Sequence, residues 1–223
     1  MDNASKHNCR LYLISPPAIE LAKFSDKLKL AFDGGDVGSF QLRLKNSNDD
    51  EILRAAEMLI PICREREVAF ILNDSPELAK KSGADGVHLG QDDGSVKTAR
   101  KIVGSDSVIG VSCHDSKHLA MVAGEDGADY VAFGAFYPTT SKSPEVLAKY
   151  GTPAPEILNW WQTYMVLPCV AIGGINPPNC LPLVRAGADF IAAITAVWNH
   201  PESPKKAVEE FNKAIKDAGS YEN

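Results

Sequence analysis

The chain is poor in cysteine, and its five cysteines are scattered so that no two form a Cys-x-x-Cys pair. An odd number of separated thiols indicates reduced side chains in a cytoplasmic protein rather than a disulfide framework. The polar first ten residues lack the apolar segment of a secretory signal, and no apolar run approaches the roughly 20 residues that span a bilayer. From the sequence we therefore expect a cytoplasmic protein with no membrane partner.

An excess of positive charge is also missing. The chain carries 23 lysines and arginines against 29 acidic residues, which gives a formal net charge of -6. This balance disfavours nucleic acid as a partner. Small anionic substrates remain compatible, because the Debye length is roughly 8 Å in physiological salt and a local basic pocket outweighs distant negative charge. We expect small-molecule substrates, and the sequence leaves the oligomeric state open, with a homo-oligomer allowed.

An internal repeat indicates how the chain is organised. The tripeptide Gly-Ala-Asp occurs at 83–85, 127–129 and 187–189, each time after a helical pattern and before an apolar run. Glycine suits the left-handed position that ends a helix, and the apolar run then begins a strand. The repeating unit is therefore predicted to be a helix, a tight turn and a strand.

Short apolar runs alternate with helical patterns along the 223 residues. The predicted strands lie at about 11–15, 39–44, 69–73, 86–89, 108–113, 130–134, 168–173 and 190–194. The predicted helices lie near 18–33, 49–66, 76–82, 95–103, 115–126, 154–164, 178–186 and 203–217. This alternation predicts an α/β fold, a (βα)8 TIM barrel at about 9–218 within one catalytic domain, 1–223. An open doubly wound sheet is the alternative, and the lack of Gly-x-Gly-x-x-Gly after the first strand disfavours it.

Polar residues follow the predicted strands at their carboxyl ends, where the catalytic groups of such a barrel gather. In the second strand, alternation from Phe40 to Lys45 places Gln41, Arg43 and Lys45 on one face. Barrel strands have no free edge, so we expect this face to point into the barrel mouth. The candidate residues at the other strand ends are Asn73, Asp74, His88, Gln91, Asp92, Asp93, Ser112, His114, Thr139, Ser141, Lys142, Gly173, Gly174, Ile194 and Thr195.

Three subsets of these residues have a chemical interpretation. Arg43, Lys45 and Lys142 can donate to a phosphate or pyrophosphate. Asp74 and Asp93 are hard oxygen ligands that suit Mg²⁺ when phosphate oxygens complete the coordination. The glycine pair at 173–174 and the Ile194–Thr195 dipeptide follow strands seven and eight, the usual phosphate position of this fold.

Each of these residues also has a plainer interpretation. Asp74 precedes Ser75-Pro76 and could serve only as a helix N-cap. Asp92 competes with Asp93 for the metal role, and His88 on a buried strand fits a hydrogen-bonded structural histidine better than a base. Lys142 could be an exposed loop lysine.

Six motifs in order along the chain resemble those of the thiamine phosphate synthase (thiamine-phosphate pyrophosphorylase) family. They are Gln41-x-Arg43-x-Lys45, Asn73-Asp74, Gly86-Val87-His88-Leu89-Gly90-Gln91-x-Asp93, Gly110-Val111-Ser112-x-His114, Pro138-Thr139-x-Ser141-Lys142 and Ala171-Ile172-Gly173-Gly174-Ile175. Each motif alone is weak, but six in register over nearly the whole chain are specific. The chain departs from the family pattern at Ser141, where threonine is usual, and over 143–150.

The resemblance implies a transferase of thiamine biosynthesis. Such enzymes join 4-amino-2-methyl-5-hydroxymethylpyrimidine diphosphate to a thiazole phosphate, releasing pyrophosphate by a dissociative, Mg²⁺-assisted substitution. It implies pyrophosphate contacts from Arg43, Lys45, Asn73, Ser141 and Lys142, and magnesium ligands at Asp74 and Asp93. It also implies pyrimidine contacts from Gln41, Ser112 and Tyr12, and thiazole phosphate contacts from Thr139, Gly174, Ile194 and Thr195. The candidate catalytic residues are Arg43, Lys45, Lys142 and Ser112.

Three other functions remain as alternatives. A thiazole tautomerase of the same superfamily lacks the Gly-Gln-x-Asp sequence and has histidine where this chain has Ala135. A phosphosugar isomerase or aldolase would use Lys45 for a Schiff base, and two neighbouring anion sites disfavour it. A non-catalytic thiamine-precursor binder is disfavoured by the intact charged residues.

Overall fold

The computed structural model describes residues 8–139 and 148–219, and eight parallel strands close into a barrel in sequence order. The strands are β1 (Arg10–Ile14), β2 (Val37–Leu42), β3 (Ala69–Asn73), β4 (Gly86–Leu89), β5 (Val108–His114), β6 (Tyr130–Phe133), β7 (Cys169–Ala171) and β8 (Phe190–Ala193). The described helices are α1 (Leu21–Phe32), α2 (Asp49–Glu65), α3 (Pro76–Ser82), α4 (Val96–Val103), α5 (Lys117–Glu125), α6 (Glu156–Tyr164), α7 (Leu181–Arg185), α8 (Thr195–Trp198) and α9 (Pro204–Gly219). The predicted (βα)8 barrel is confirmed. None of these helices has the length and apolar character needed to cross a membrane.

Alternation along each strand divides the apolar residues into two cores. Outward-facing residues such as Phe40, Leu42 and Phe70 pack with the helices in the larger core, where the Phe40 and Phe70 rings lie 5.8 Å apart. A smaller core inside the barrel contains Tyr12, Ile14, Ile71, Tyr130, Ala132, Val170 and Ala192. Both faces of every strand are therefore covered, as expected for parallel strands.

Several helices begin where a short polar side chain accepts a backbone N–H. Asn48 caps α2 in a reciprocal capping box with Glu51, and serines at 75, 95 and 116 cap α3, α4 and α5. These caps satisfy N–H groups that have no partner inside the helix. Each helix start therefore lies at a defined distance after the preceding strand, at the end of the barrel that carries the cavity.

The three Gly-Ala-Asp repeats have one structural role at the opposite end of the barrel. The Asp85, Asp129 and Asp189 carboxylates accept the backbone N–H groups at the start of β3, β5 and β7, over distances of 2.7, 2.7 and 2.8 Å. The preceding glycines at 83, 127 and 187 have positive φ angles of 72°, 95° and 98°. Each repeat thus ends a helix and connects its own strand to the strand before it.

The structure corrects several predicted boundaries. β2 spans 37–42 rather than 39–44, so Arg43 and Lys45 follow the strand instead of ending it. Helix α7 begins at Leu181 rather than near 178, because Asn176 and Asn179 form a reciprocal side-chain turn over the two prolines. The four-residue helix α8 after β8 has no counterpart among the predicted helices.

Candidate active site

A cavity of about 650 Å³ opens at the carboxyl ends of the strands. The predicted site residues that line it are Gln41, Arg43, Lys45, Asn73, Asp74, Asp93, Ser112, Thr139, Gly174, Ile194 and Thr195. These predicted residues come from seven of the eight strand ends or the loops after them, and Ile14 at the end of β1 also lines the cavity. The predicted residues Ser141 and Lys142 lie outside the described residues.

The basic wall of the cavity is formed by the end of β2. Gln41 is 2% exposed and directs its carboxamide into the cavity, where no hydrogen bond to it is present among the described residues. The backbone N–H of Arg43 donates to Ser15 Oγ at 2.8 Å, and that of Lys45 donates to the carbonyl of Pro17 at 2.8 Å. These bonds to the segment after β1 hold both cationic side chains on the same wall as Gln41, although the strand has ended.

Burial lowers the pKa of Arg43, and the nearby Asp74 carboxylate opposes that shift. The guanidinium remains charged at neutral pH because the ordinary pKa of arginine lies far above neutrality. Lys45 Nζ lies 3.0 Å from an Asp74 carboxylate oxygen. The wall therefore presents one partly buried cation, Arg43, and one exposed cation, Lys45, beside an acidic group.

Asp74 lines the cavity, and the neighbouring Ser75 is the N-cap residue of α3. Ser75 Oγ caps α3 by accepting the N–H of Leu78, so the Asp74 carboxylate is not the N-cap. The Asp74 backbone has a positive φ of 70° and its N–H donates to the His88 carbonyl at 2.8 Å. The N-cap interpretation of Asp74 is thus wrong.

Asp93 approaches Asp74 from the loop after β4. Its carboxylate accepts the N–H of Gly90 at 2.7 Å. Burial raises the pKa of Asp93, the Gly90 bond opposes this, and the charge of Asp74 raises the pKa further. Two carboxyl groups close enough to share a hydrogen bond repel each other when both are ionised.

This pair could supply two of the oxygen ligands of Mg²⁺. Magnesium is usually held by one or two carboxylates together with substrate phosphate oxygens and water, and a cation between Asp74 and Asp93 would relieve their repulsion. Within 8–139 and 148–219, no cluster of three or more His, Cys, Asp or Glu side chains could hold a metal. An ion at this pair would therefore need oxygen ligands from a bound substrate.

The wall of the cavity opposite Arg43 and Lys45 is formed mainly by backbone atoms. Gly173 and Gly174 follow β7 with φ angles of 104° and 64°, and a Cβ at Gly174 would lie 2.4 Å from the carbonyl oxygen of Pro138. Only glycine fits this turn without displacing the segment that leads to Thr139. Next to this turn, after the adjacent strand β8, Ile194 is the N-cap residue of α8 and Thr195 its first residue. Exposed backbone N–H groups at such positions suit an anion.

The floor contains Ser112 and His88. His88 Nε2 lies 2.9 Å from Ser112 Oγ and Nδ1 lies 2.8 Å from the Tyr130 hydroxyl, in agreement with a hydrogen-bonded histidine. Gln91 Nε2 donates to the Ser112 carbonyl at 2.5 Å. The structure does not bring Tyr12 to the cavity wall: its ring lies below the floor, in the inner core, and its hydroxyl contacts that of Tyr130.

The sequence interpretation named His114 but missed Tyr150, the residue that stacks on it in the cavity wall. The His114 imidazole and the Tyr150 ring stack at 3.9 Å between centroids with 4° between their planes, and both line the cavity. The two residues are 36 positions apart in the sequence, so no local sequence pattern predicts that they stack. His114 adopts a positive φ of 54°, which turns its side chain from the β5 direction.

The fold and this site together define a (βα)8-barrel enzyme whose cavity lies at the carboxyl ends of the strands. The sequence profile of the family described as thiamine monophosphate synthase matches residues 11–197. The chain belongs to this family, and with its relatives it is a transferase of thiamine biosynthesis.

Individual relatives agree with the family assignment. The chain is 56% identical to a thiamine-phosphate synthase of Rhodospirillum centenum over 94% of this chain and 99% of the relative. It is 50% identical to that of Hyphomonas neptunium, over 91% and 92% respectively. A solved thiamine phosphate pyrophosphorylase from Pyrococcus furiosus is 30% identical, with a TM-score of 0.81 over 96% of this chain and 98% of that one. The resemblance inferred from the six motifs is confirmed.

Proposed function

We propose that this chain condenses 4-amino-2-methyl-5-hydroxymethylpyrimidine diphosphate with a thiazole phosphate, forming thiamine phosphate and pyrophosphate. The observation that carries the proposal is the pairing of two anion-binding walls across one cavity. Arg43, Lys45 and the carboxylate pair lie on one wall, and the Gly173–Gly174 turn and the start of α8 lie on the other. One diphosphate and one monophosphate substrate would fit that division.

The proposed reaction is a dissociative substitution. The bond between the pyrimidine methylene carbon and the diphosphate oxygen breaks first, and its electron pair leaves with pyrophosphate. The thiazole nitrogen then captures the pyrimidinylmethyl cation with its lone pair. Arg43 and Lys45 would stabilise the leaving group because its negative charge increases as the bond breaks, so their attraction is stronger in the transition state.

Asn73, Ser141 and Lys142 are proposed to complete the pyrophosphate contacts. Asn73 supports this by lying beside His88 in the register of β3 and β4, at the cavity. Asp74 and Asp93 would hold Mg²⁺, which when bound neutralises diphosphate oxygens. No general base is required, because the attacking nitrogen carries a free lone pair.

Gln41 and Ser112 are proposed to contact the pyrimidine. Both line the cavity, and the Gln41 carboxamide, which has no hydrogen bond to another described residue, supports a ligand contact there. Thr139 with the backbone at Gly174, Ile194 and Thr195 would receive the thiazole phosphate. Tyr12 is proposed to act from below the floor rather than by direct contact.

The test is incubation with both substrates and Mg²⁺, followed by detection of thiamine phosphate and pyrophosphate. We expect thiamine phosphate and pyrophosphate to form in equal amounts, and we expect both products to be lost when EDTA is added. Arg43→Gln should lower kcat by about 100-fold or more, while Lys101→Gln, on the exposed side of α4, should not. No product from the folded wild-type protein would refute the proposal, and undiminished product in EDTA would refute the magnesium role.

Borohydride trapping separates the aldolase alternative. A Schiff base on Lys45 would be reduced to a stable adduct in the presence of a phosphosugar, whereas the synthase reaction leaves Lys45 unmodified. We further propose that 1–223 is one catalytic domain in the cytoplasm; the five buried free thiols support a reducing compartment.

A further inference from the structure

Two rings from different parts of the chain form one section of the cavity wall, at the carboxyl end of β5. His114 is the last residue of β5, and Tyr150 lies in the connection after β6. The ring centroids are 3.9 Å apart and the ring planes differ by 4°, which is direct face-to-face contact. Water does not fit between rings at this separation. We call these two residues the wall stack.

The backbone on each side holds the wall stack in place. The His114 carbonyl accepts the N–H of Gly134 at 3.1 Å, where the pairing of β5 with β6 shifts its register. Gly151, directly after Tyr150, has a positive φ of 75°, and a Cβ there would lie 3.4 Å from Asp115 Oδ2. Two successive residues of the connection therefore lie against two successive residues at the end of β5, which determines where the Tyr150 ring is placed.

The two rings of the wall stack differ in exposure. His114 is 8% exposed, whereas Tyr150 is only half-buried, so Tyr150 is the outer ring and covers the imidazole from solvent. Both rings line the cavity together with Ser112, which lies two positions before His114. The wall stack therefore lies between bulk water and the part of the cavity near Ser112.

The proposed reaction requires a barrier to water at this place. A pyrimidinylmethyl cation reacts with the first nucleophile that reaches it. If water captures it, the water oxygen forms a bond to the methylene carbon, one proton leaves to solvent, and the product is the pyrimidine alcohol. Pyrophosphate is then released without any thiamine phosphate. Closed active sites protect such intermediates by excluding water.

We propose that the wall stack determines which nucleophile captures the cation, because it keeps water away while the thiazole nitrogen attacks. This inference rests on the function proposed above, which places the pyrimidine beside Ser112. His114 and Tyr150 are specificity-determining residues that act by covering the cavity, and neither transfers a proton.

The ratio of pyrophosphate to thiamine phosphate measures how often water captures the cation. With Mg²⁺ and both substrates, the wild-type protein should give a ratio of one. Tyr150→Ala uncovers the imidazole and admits water, so the ratio should rise about twofold or more, and the pyrimidine alcohol should account for the difference. The ratio should stay raised when the thiazole phosphate is saturating. A return to one at saturation would mean that the variant only binds the thiazole phosphate weakly, and would overturn the proposal.

Water labelled with oxygen-18 identifies the bond that breaks in the side reaction. The label should appear in the hydroxyl group of the alcohol, because the carbon–oxygen bond breaks and water adds to carbon. Label found in pyrophosphate instead would mean that water attacks phosphorus, and the capture of a cation by water would be refuted.

Two variants control for the loss of a ring. Tyr150→Phe keeps the ring of the wall stack, and its ratio should remain one. Tyr164→Ala removes a ring of α6 that is 69% exposed and does not line the cavity, and its ratio should also remain one. Thermal unfolding should show that all variants are folded. A ratio raised as much in Tyr150→Phe as in Tyr150→Ala would assign the effect to the hydroxyl and refute the role of the ring.

His114→Leu tests the inner ring of the wall stack. It removes the stacking surface and should also raise the ratio. Its combination with Tyr150→Ala should raise the ratio no further than the larger single change, because both residues form one barrier. If the two effects multiply instead, the rings act independently and the wall stack is not one barrier.

The outcomes separate this inference from the proposed function. If the wild-type protein makes thiamine phosphate and Tyr150→Ala keeps a ratio of one, the wall stack does not exclude water and the function stands. If the folded wild-type protein makes no thiamine phosphate, the function is refuted, and the role of the wall stack in choosing the nucleophile is refuted with it.

Discussion

At the scale of single residues, Asp93 is placed where its charge is unfavourable for the fold. Burial and the neighbouring Asp74 both raise its pKa, so the folded protein binds a proton at Asp93 more readily than the unfolded chain does. Without a cation, the free energy of unfolding of the wild-type protein should therefore decrease as pH rises through the titration of Asp93. Asp93→Asn should lack this contribution.

We accordingly expect Asp93→Asn to unfold, at neutral pH and in EDTA, at a temperature equal to or slightly above that of the wild-type protein. The same variant should lose most of its Mg²⁺-dependent activity. Thermal unfolding at several pH values and a magnesium titration of the rate measure the two effects. Asp92→Asn, which changes the neighbouring exposed acid, should alter neither; if it abolishes activity instead, the choice of Asp93 as ligand is wrong.

The sequence alone predicted the position of those side chains whose direction follows from alternation along a strand. Strict alternation was enough to place Gln41, Arg43 and Lys45 on one wall, even though the strand ends at Leu42. Tyr12 obeys the same alternation, but its depth below the floor depends on how far the barrel extends beyond it. The choice between helix cap and cavity ligand at Asp74 was open in the sequence because Ser75 offers an equivalent cap.

At the scale of elements, the largest difference from prediction is α8. Four residues, Thr195–Trp198, are too few to show a helical period, so the sequence signalled only the end of a strand. The helix is held by tertiary contact: Trp198 Nε1 donates to the Ile14 carbonyl at 2.6 Å, and its ring packs 4.8 Å from that of Phe24. Packing thus determines an element that local propensity does not.

The stack of Tyr150 on His114 joins the connection after β6 to the end of β5. Aromatic pairs contribute about 0.5–1.5 kcal/mol beyond their buried area. We therefore expect Tyr150→Ala to lower kcat/KM by up to about tenfold, because this part of the cavity wall loses its support. Tyr150→Phe keeps the ring and should retain wild-type kinetics.

Steady-state kinetics with each substrate varied in turn measure the effect. Tyr164→Ala, which removes an exposed ring from the outer end of α6, is the matched control and should have no effect. Equal activity of Tyr150→Ala and Tyr164→Ala would show that the stack does not support the reaction. A loss in Tyr150→Phe as large as that in Tyr150→Ala would assign the role to the hydroxyl rather than to the ring.

At the scale of the whole molecule, the interior of the barrel depends on one missing side chain. A Cβ on Gly110 would lie 1.9 Å from Tyr130 Cζ, so the Tyr130 ring crosses β5 to reach His88 only because residue 110 is glycine. Gly110→Ala should lower the free energy of unfolding by about 1–3 kcal/mol through overpacking. It should also displace the Tyr130 hydroxyl from His88 Nδ1, from which it lies 2.8 Å.

Urea unfolding measures the stability change, and Gly124→Ala provides the control. Gly124 lies inside α5, where a Cβ would meet only Leu167 Cδ2 at an ordinary 3.7 Å. Alanine there should raise the free energy of unfolding by about 0.5–1 kcal/mol. Similar changes in both variants would mean that the inner core adapts to the added methyl group.

Substitution of an aspartate of the Gly-Ala-Asp repeats should change stability without changing turnover. Asp85→Ala leaves the N–H of Phe70 without its acceptor and should lower the free energy of unfolding by about 1–2 kcal/mol. Asp85→Asn keeps an acceptor oxygen and should recover part of that loss. Both variants should retain the wild-type kcat, since Asp85 lies at the end of the barrel opposite the cavity, and a fall in kcat would contradict this separation.

These connections divide the barrel into units. Aspartates precede the second strand of the pairs β3–β4, β5–β6 and β7–β8, and Asp36 precedes β2, where it accepts two bonds from the Arg10 guanidinium at the start of β1. The chain is thus built from four consecutive two-strand modules. In each module, a hydrogen-bonded aspartate, called here the clamp, connects the start of one strand to the start of the next. New termini introduced between modules, such as at 66–68 before β3, would leave every clamp intact, so the sequence is suited to circular permutation at module boundaries and not within them.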